Sequence, residues 1–156
     1  MELFRAQGYD ATSLRQIAER LNITKAALYY HFPAKEDLVL AIAQKYIDGL
    51  REIVARDDEG PEAWLDGYVA LMLDVHDAIA FLAHDPGAWR HVGRDAAELY
   101  DKLQFGIAGR TGKVADHVRA GCALGAINSL ATLPVEDARK ARTVALNAAK
   151  AALRAR

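Results

Sequence analysis

Thr24, Lys25, Tyr29, Tyr30 and His31 fall within one short stretch of this sequence, LNITKAALYYHF, between Leu21 and Phe32. Lys35 follows close behind, and Thr12, Ser13 and Gln16 stand just upstream. Such groups donate and accept hydrogen bonds and carry positive charge, which suits contact with phosphate oxygens and base edges. A catalytic alternative has little to stand on. The chain holds no G-x-S-x-G, no P-loop and no G-x-G-x-x-G, and the neighbouring acids Asp57, Asp58 and Glu59 sit in a turn-forming run. His76, His84, His91 and His117 are spaced by 8, 7 and 26 residues, and none forms the i, i+4 pair of common zinc motifs. The expectation is therefore no enzyme activity, no metal and no cofactor.

The elements that position these groups can be read from apolar spacing. Leu14, Ile17, Ala18 and Leu21 mark a helix that Thr12 or Ser13 can cap, and Thr24 caps the next, which stops near Phe32-Pro33. Only Asn22 and Ile23 lie between the two, the length of a helix-turn-helix connection. Asn22 suits the left-handed position of that turn, Ala18 permits a close crossing, and Ile17, Leu21, Ile23 and Leu28 can supply the shared apolar wedge. With Leu28 turned inward and a step of about 100° per residue, Ala26 and Tyr30 face directly outward, flanked by Ala27 and Tyr29. An ordinary helical hairpin would satisfy the same apolar pattern, but it has no need to leave two phenols on its solvent side. His31 and Lys35 adjoin the start of a further helix, where backbone N–H groups favour an anion, and so suggest a phosphate clamp.

Strand-like alternation is absent from the rest of the chain, and helical periodicity recurs throughout, so the fold class is all-α with about nine helices. Met1–Gln7 reads as a short helix, expected to be the end of a longer one. Further helices are expected over about 35–56, 61–83, 88–92, 95–105, 114–133 and 135–155. A turn falls at Asp57–Pro61 and a three-glycine loop at 105–113. A chain of 156 residues with 52% hydrophobic and 26% charged residues can build its core without a disulfide or metal.

The segment LFRAQGYDATSLRQIAERLNITKAALYYHFPAKEDLVLAI, Leu3 to Ile42, closely resembles the DNA-binding domain of the tetracycline-repressor (TetR) family. Asn22 stands where that family more often has Gly. The resemblance implies that Thr24, Lys25, Ala26, Ala27 and Tyr30 face the DNA groove. It also implies that Thr12, Tyr29, His31 and Lys35 contact phosphates, with Ser13 and Gln16 adding backbone or base contacts. Tyr29 stands on the border, since an aromatic next to Leu28 can also pack against its own domain. Residues 1–34 would form the helix-turn-helix domain, its first helix truncated relative to the family. The helix from Lys35 would link it to a ligand-binding and dimerisation domain over 35–156.

Net charge, at −1, does not by itself announce a nucleic-acid binder. The N-terminal 51 residues carry seven Lys/Arg against six Asp/Glu, only slightly basic. One cysteine, Cys122, cannot form an internal disulfide, which fits a reducing compartment, and with no recognisable signal peptide the expected location is the cytoplasm. The charge-free run Ala120–Val135 is shorter than a membrane span and contains Asn128, Ser129, Thr132 and Pro134. An effector cavity in the helical body would draw on Trp64, Tyr68, Met72, His76, Phe81, Trp89, Leu99, Leu103 and Phe105. A homodimer face would draw on Val118, Gly121, Leu124, Gly125, Ala148 and Ala152, where small residues four apart allow close helix packing. The reading is a DNA-binding transcriptional regulator, a repressor released from an inverted-repeat operator by a small apolar or aromatic effector. The alternative is a dimeric helical interaction or ligand-binding module without DNA binding.

Overall fold

A computed structural model describes residues 2–56 and 59–155 of the chain; Asp57 and Asp58, within the expected turn, lie outside the described residues, as does Met1. Nine α-helices and no strand occur among the described residues. The first three form a compact N-terminal unit: α1 (Glu2–Gln7), α2 (Leu14–Arg20) and α3 (Lys25–His31). Ser13, rather than Thr12, caps α2. Its hydroxyl accepts from the Gln16 amide, and the Gln16 side chain reaches back to the Ser13 amide at 2.8 Å, a reciprocal pair that satisfies two otherwise orphaned donors. Asn22 takes the left-handed conformation at φ 54°, as its place in the turn requires, and the Ile23 amide then closes onto the Ala18 carbonyl at 3.0 Å. Thr24 caps α3 through the Ala27 amide.

Six helices follow: α4 (Lys35–Ala55), α5 (Gly60–Asp74), α6 (His76–His84), α7 (Pro86–Ile107), α8 (Val114–Asn128) and α9 (Val135–Arg154). A short 3-10 turn, Ser129–Thr132, joins α8 to the α9 connection. Helix α4 runs along α7 and α8 along α9, while α5 lies between the pairs and touches α4, α7, α8 and α9. Two glycines allow the closest approaches. Gly49 on α4 meets the Leu71 side chain, and Gly106 on α7 meets the Trp64 ring, so a Cβ at either position would collide with α5. Tyr68, Leu50, Leu65, Leu103, Leu124 and Ile127 are almost fully buried, each large aliphatic side chain contributing roughly 1.5–3 kcal/mol by burial.

The structure departs from the expected elements in three places. The apolar stripe from Trp64 to Leu82 spans two helices, because the backbone turns at Val75 (φ −104°, ψ 18°) before the buried His76. Conversely, the two short helices expected around 88–105 are one: Gly93 is accommodated inside α7, whose start Asp85 caps through the Ala88 amide at 3.1 Å. That helix runs on to Ile107, so the glycine-rich loop begins only after it. The last expected break, at Pro134, is where α9 starts.

Candidate functional site

The α2–α3 hairpin turns one face inward and leaves the other open. Leu28 is 4% exposed and Ile17 is buried, whereas Tyr30 is 83% exposed. Lys25, Ala26, Ala27, Tyr29 and His31 share the open side with it, as do Thr24, Ser13 and Gln16. Tyr29 sits partly covered at the edge, with the Lys25 ammonium 5.2 Å from its ring centre. Tyr30 and His31 meet edge to face, their rings 5.2 Å apart. Leu21 and Ile23, expected in the apolar wedge, are instead largely exposed; Ile17, Ala18 and Leu28 suffice to close the crossing.

Two of the expected phosphate contacts are turned inward. Thr12 is 1% exposed, and its hydroxyl donates to the Gly8 carbonyl at 2.6 Å while accepting from the Gln7 side chain. Lys35 spends its ammonium on the carbonyls of Tyr9, Asp10 and Thr12, at 2.6, 3.3 and 2.8 Å, and lies over the Tyr9 ring. The expected clamp at the start of α4 is also occupied from within, since Asp37 accepts from the Ala34 amide at 2.8 Å beside Glu36. Lys35 and Thr12 therefore shape the turn that aims α2. Among the described residues of the expected contact set, Lys25 is the cation left without a carboxylate or carbonyl partner. The other basic side chains of α2 are paired, Arg15 with Glu19 and Arg20 with Glu2.

Sequence reasoning missed the seam between this unit and the helical body. The Tyr9 amide donates to Asp85 Oδ2 at 2.6 Å, so one carboxylate caps α7 and holds the N-terminal turn. Arg90 pairs with Asp10 at 3.0 Å and Arg5 with Asp77 at 2.7 Å. Phe4 stacks on Phe81, centroids 5.0 Å apart. Tyr9 is buried, and burial together with the Glu36 carboxylate beside its hydroxyl pushes that phenol up to about 12. An Asp immediately before Pro-Gly is a recognisable helix cap in sequence, but its second partner is 76 residues away.

A cavity of about 560 Å³ opens between α4, α5, α6, α7 and α8. Tyr68, Met72 and Trp89 of the candidate set line it, joined by Tyr46, Tyr100 and Asn128. The Tyr68 hydroxyl donates to Asn128 Oδ1 at 2.6 Å, and Asn128 Nδ2 donates to the Tyr100 hydroxyl at 2.9 Å. Burial raises all three phenols, Tyr46 to about 12, so they stay neutral. In sequence Asn128 stands only as one of several polar residues in the charge-free run Ala120–Val135. The other expected residues are not brought here. Trp64 is core, its indole donating to the Arg56 carbonyl at 2.8 Å, and Leu103 is fully buried. Leu99 packs partly buried against the core. Phe105 is 49% exposed, on the outer side of α7. His76 and Phe81 line a different groove, facing α1, where His76 Nε2 donates to the Leu130 carbonyl.

On the expected dimer face, Val118, Gly125 and Ala148 are exposed and Gly121 and Ala152 partly so, with Val114, Cys122 and Val144 exposed nearby. Leu124 is the correction: it is fully buried in its own protomer, packed inside the bundle.

Residues 1–42 match the family described as bacterial regulatory proteins, tetR family. Over 128 residues, 74% of the chain, the sequence is 31% identical to the HTH-type transcriptional regulator RutR of Escherichia coli, covering 60% of that protein. It is 27% identical over 123 residues to an uncharacterized HTH-type transcriptional regulator, YezE, of Bacillus subtilis, covering 69% of the chain and 63% of the relative. The chain thus spans about three fifths of the length of these two relatives. The fold is similar to that of the TetR family regulator PfmR from Thermus thermophilus, with a TM-score of 0.62 and 20% identity over 94% of this chain and 93% of that one.

Proposed function

We propose, from the premise that this chain belongs to the TetR family of bacterial regulatory proteins, that it is a cytoplasmic transcriptional regulator that binds DNA as a homodimer. Residues 1–34 form the DNA-binding domain and residues 35–156 the ligand-binding and dimerisation domain, with α4 linking the two. Each protomer offers α3 to one major groove, and a two-fold dimer places two such helices about one turn of DNA apart, ~34–36 Å, or a multiple of it. The target is an inverted repeat. Thr24, Lys25, Ala26, Ala27 and Tyr30 face the groove, and Ser13, Gln16, Tyr29 and His31 flank it. An apolar or aromatic effector in the cavity favours a released state, and its preference between states limits the shift. Repression relieved by effector is the mode.

The observation that carries this reading is Tyr30, 83% exposed on a helix whose opposite face is closed over Leu28. A hairpin built only for stability gains nothing from exposing it. Selection of bound sequences from random DNA tests the reading: an enriched short palindrome is expected, and recovery of no enriched sequence would overturn it. The sparse charge on the α3 face favours one competitor, a dimeric helical module that does not use DNA. The same selection separates the two, because that module enriches nothing.

A further inference from the structure

Three polar side chains of the cavity, from three helices, form one chain of hydrogen bonds. Tyr68 of α5 reaches Asn128 of α8, and Asn128 reaches Tyr100 of α7, while Tyr46 of α4 lines the same cavity. The two lengths orient the amide: 2.6 Å is a distance for O–H···O and 2.9 Å for N–H···O. Tyr68 therefore spends its proton on Asn128 Oδ1, and Tyr100 receives an N–H from Asn128 Nδ2. That leaves the Tyr100 proton without an acceptor among the described residues, on a ring that lines the cavity.

The charges around the cavity point the same way. Its lining includes no Lys, Arg or His. Asp101 is the one ionisable acid there, and it is exposed. The remaining wall is aliphatic or aromatic, including Met72, Leu82 and Trp89. An anion entering it would lose water, meet no cation and face a carboxylate at the rim. A neutral acceptor would lose little and gain the waiting donor. The volume, about 560 Å³, falls within the range of small-molecule sites.

We propose that the cavity is built for an uncharged, mostly apolar molecule bearing a hydrogen-bond-accepting oxygen, with the Tyr100 hydroxyl as the donor that receives it. This inference rests on the effector-binding reading of the cavity and narrows it to neutral ketone-, ester- or alcohol-like ligands over carboxylates and plain hydrocarbons. A ligand oxygen there would add a fourth member to a chain already touching α5, α7 and α8, and α7 packs along α4, which leads directly into the helix-turn-helix unit.

Equilibrium dialysis of the full chain against three matched probes tests it: para-ethylacetophenone, para-diethylbenzene and para-ethylbenzoate at neutral pH. The ketone is expected to bind about five- to tenfold tighter than the hydrocarbon, and the carboxylate at least about tenfold weaker than the ketone. Tyr100→Phe is expected to bring the ketone down to the affinity that the same variant shows for the hydrocarbon. Equal binding of ketone and hydrocarbon to the wild type, carboxylate binding as tight as ketone, or a ketone preference that survives in Tyr100→Phe would each overturn the inference while leaving an effector cavity standing. Failure of all three probes to bind would overturn the effector reading and this inference with it. Should Tyr100→Phe fold poorly, the three affinities of the wild type still uphold or overturn the inference without it.

Discussion

Lys35 and Lys25 carry the same charge within ten residues of each other, and the structure gives them opposite work. Lys35 ties the carbonyls of Tyr9, Asp10 and Thr12 together, while Lys25 stands on the open face of α3. Replacing Lys35 with Ala should therefore cost roughly 2 kcal/mol of stability in a urea titration, the scale of charged hydrogen bonds. Lys25→Ala should leave stability within about 0.5 kcal/mol and instead reduce the salt slope of DNA binding by about one per protomer. An unchanged urea midpoint for Lys35→Ala would return that residue to the DNA-contact set. The inward Leu28 and outward Tyr30 were legible in sequence because helical periodicity fixes which residues share a face. The fates of Thr12 and Lys35 were not, because they depend on where three carbonyls of a neighbouring turn converge. Local spacing carries no record of that convergence.

At the scale of elements, the link between the N-terminal unit and the bundle runs through the start of α7. Asp85 serves both sides with one carboxylate. Asp85→Ala should cost about 1–2 kcal/mol, as loss of a helix cap does. It should also speed hydrogen exchange at the Tyr9 amide more than at amides of α8; equal protection of Tyr9 in variant and wild type would show that the seam holds without it. Most helices were readable from apolar stripes and from Ser13, Thr24 and Pro134. The bend at Val75 was not, since no Gly or Pro marks it and the buried His76 acts across to the 3-10 turn. The single α7 was missed for the opposite reason: Gly93 looks like a break, yet packing against α4 carries the helix through it.

Over the whole molecule, buried phenols and exposed acid–base pairs set a pH window. Burial raises Tyr46 from 10.0 to about 12 and raises Tyr68 further. The stability tied to these neutral phenols is complete below pH 10 and is lost as pH climbs toward 12. The decline is roughly 1.4 kcal/mol per pH unit for each, and denaturation at pH 8 and pH 11 should show it shrinking in Tyr46→Phe. At the acid end Arg5 holds Asp77 below the ordinary carboxylate range, so its contribution is present above that range and fades as pH falls. The proposed dimer makes a separate prediction. Gly125 is exposed and a Cβ there meets nothing within 4 Å, so Gly125→Arg should fold normally yet sediment as a monomer. A persistent dimer would place the interface elsewhere. The central claim, that the open face of α3 reads DNA, is tested most directly by titrating the selected palindrome with wild type and Tyr30→Ala and following fluorescence anisotropy. The account predicts binding at least about tenfold weaker in the variant, with relaxed sequence preference and an unchanged melting temperature. Wild-type affinity and preference in Tyr30→Ala would contradict it.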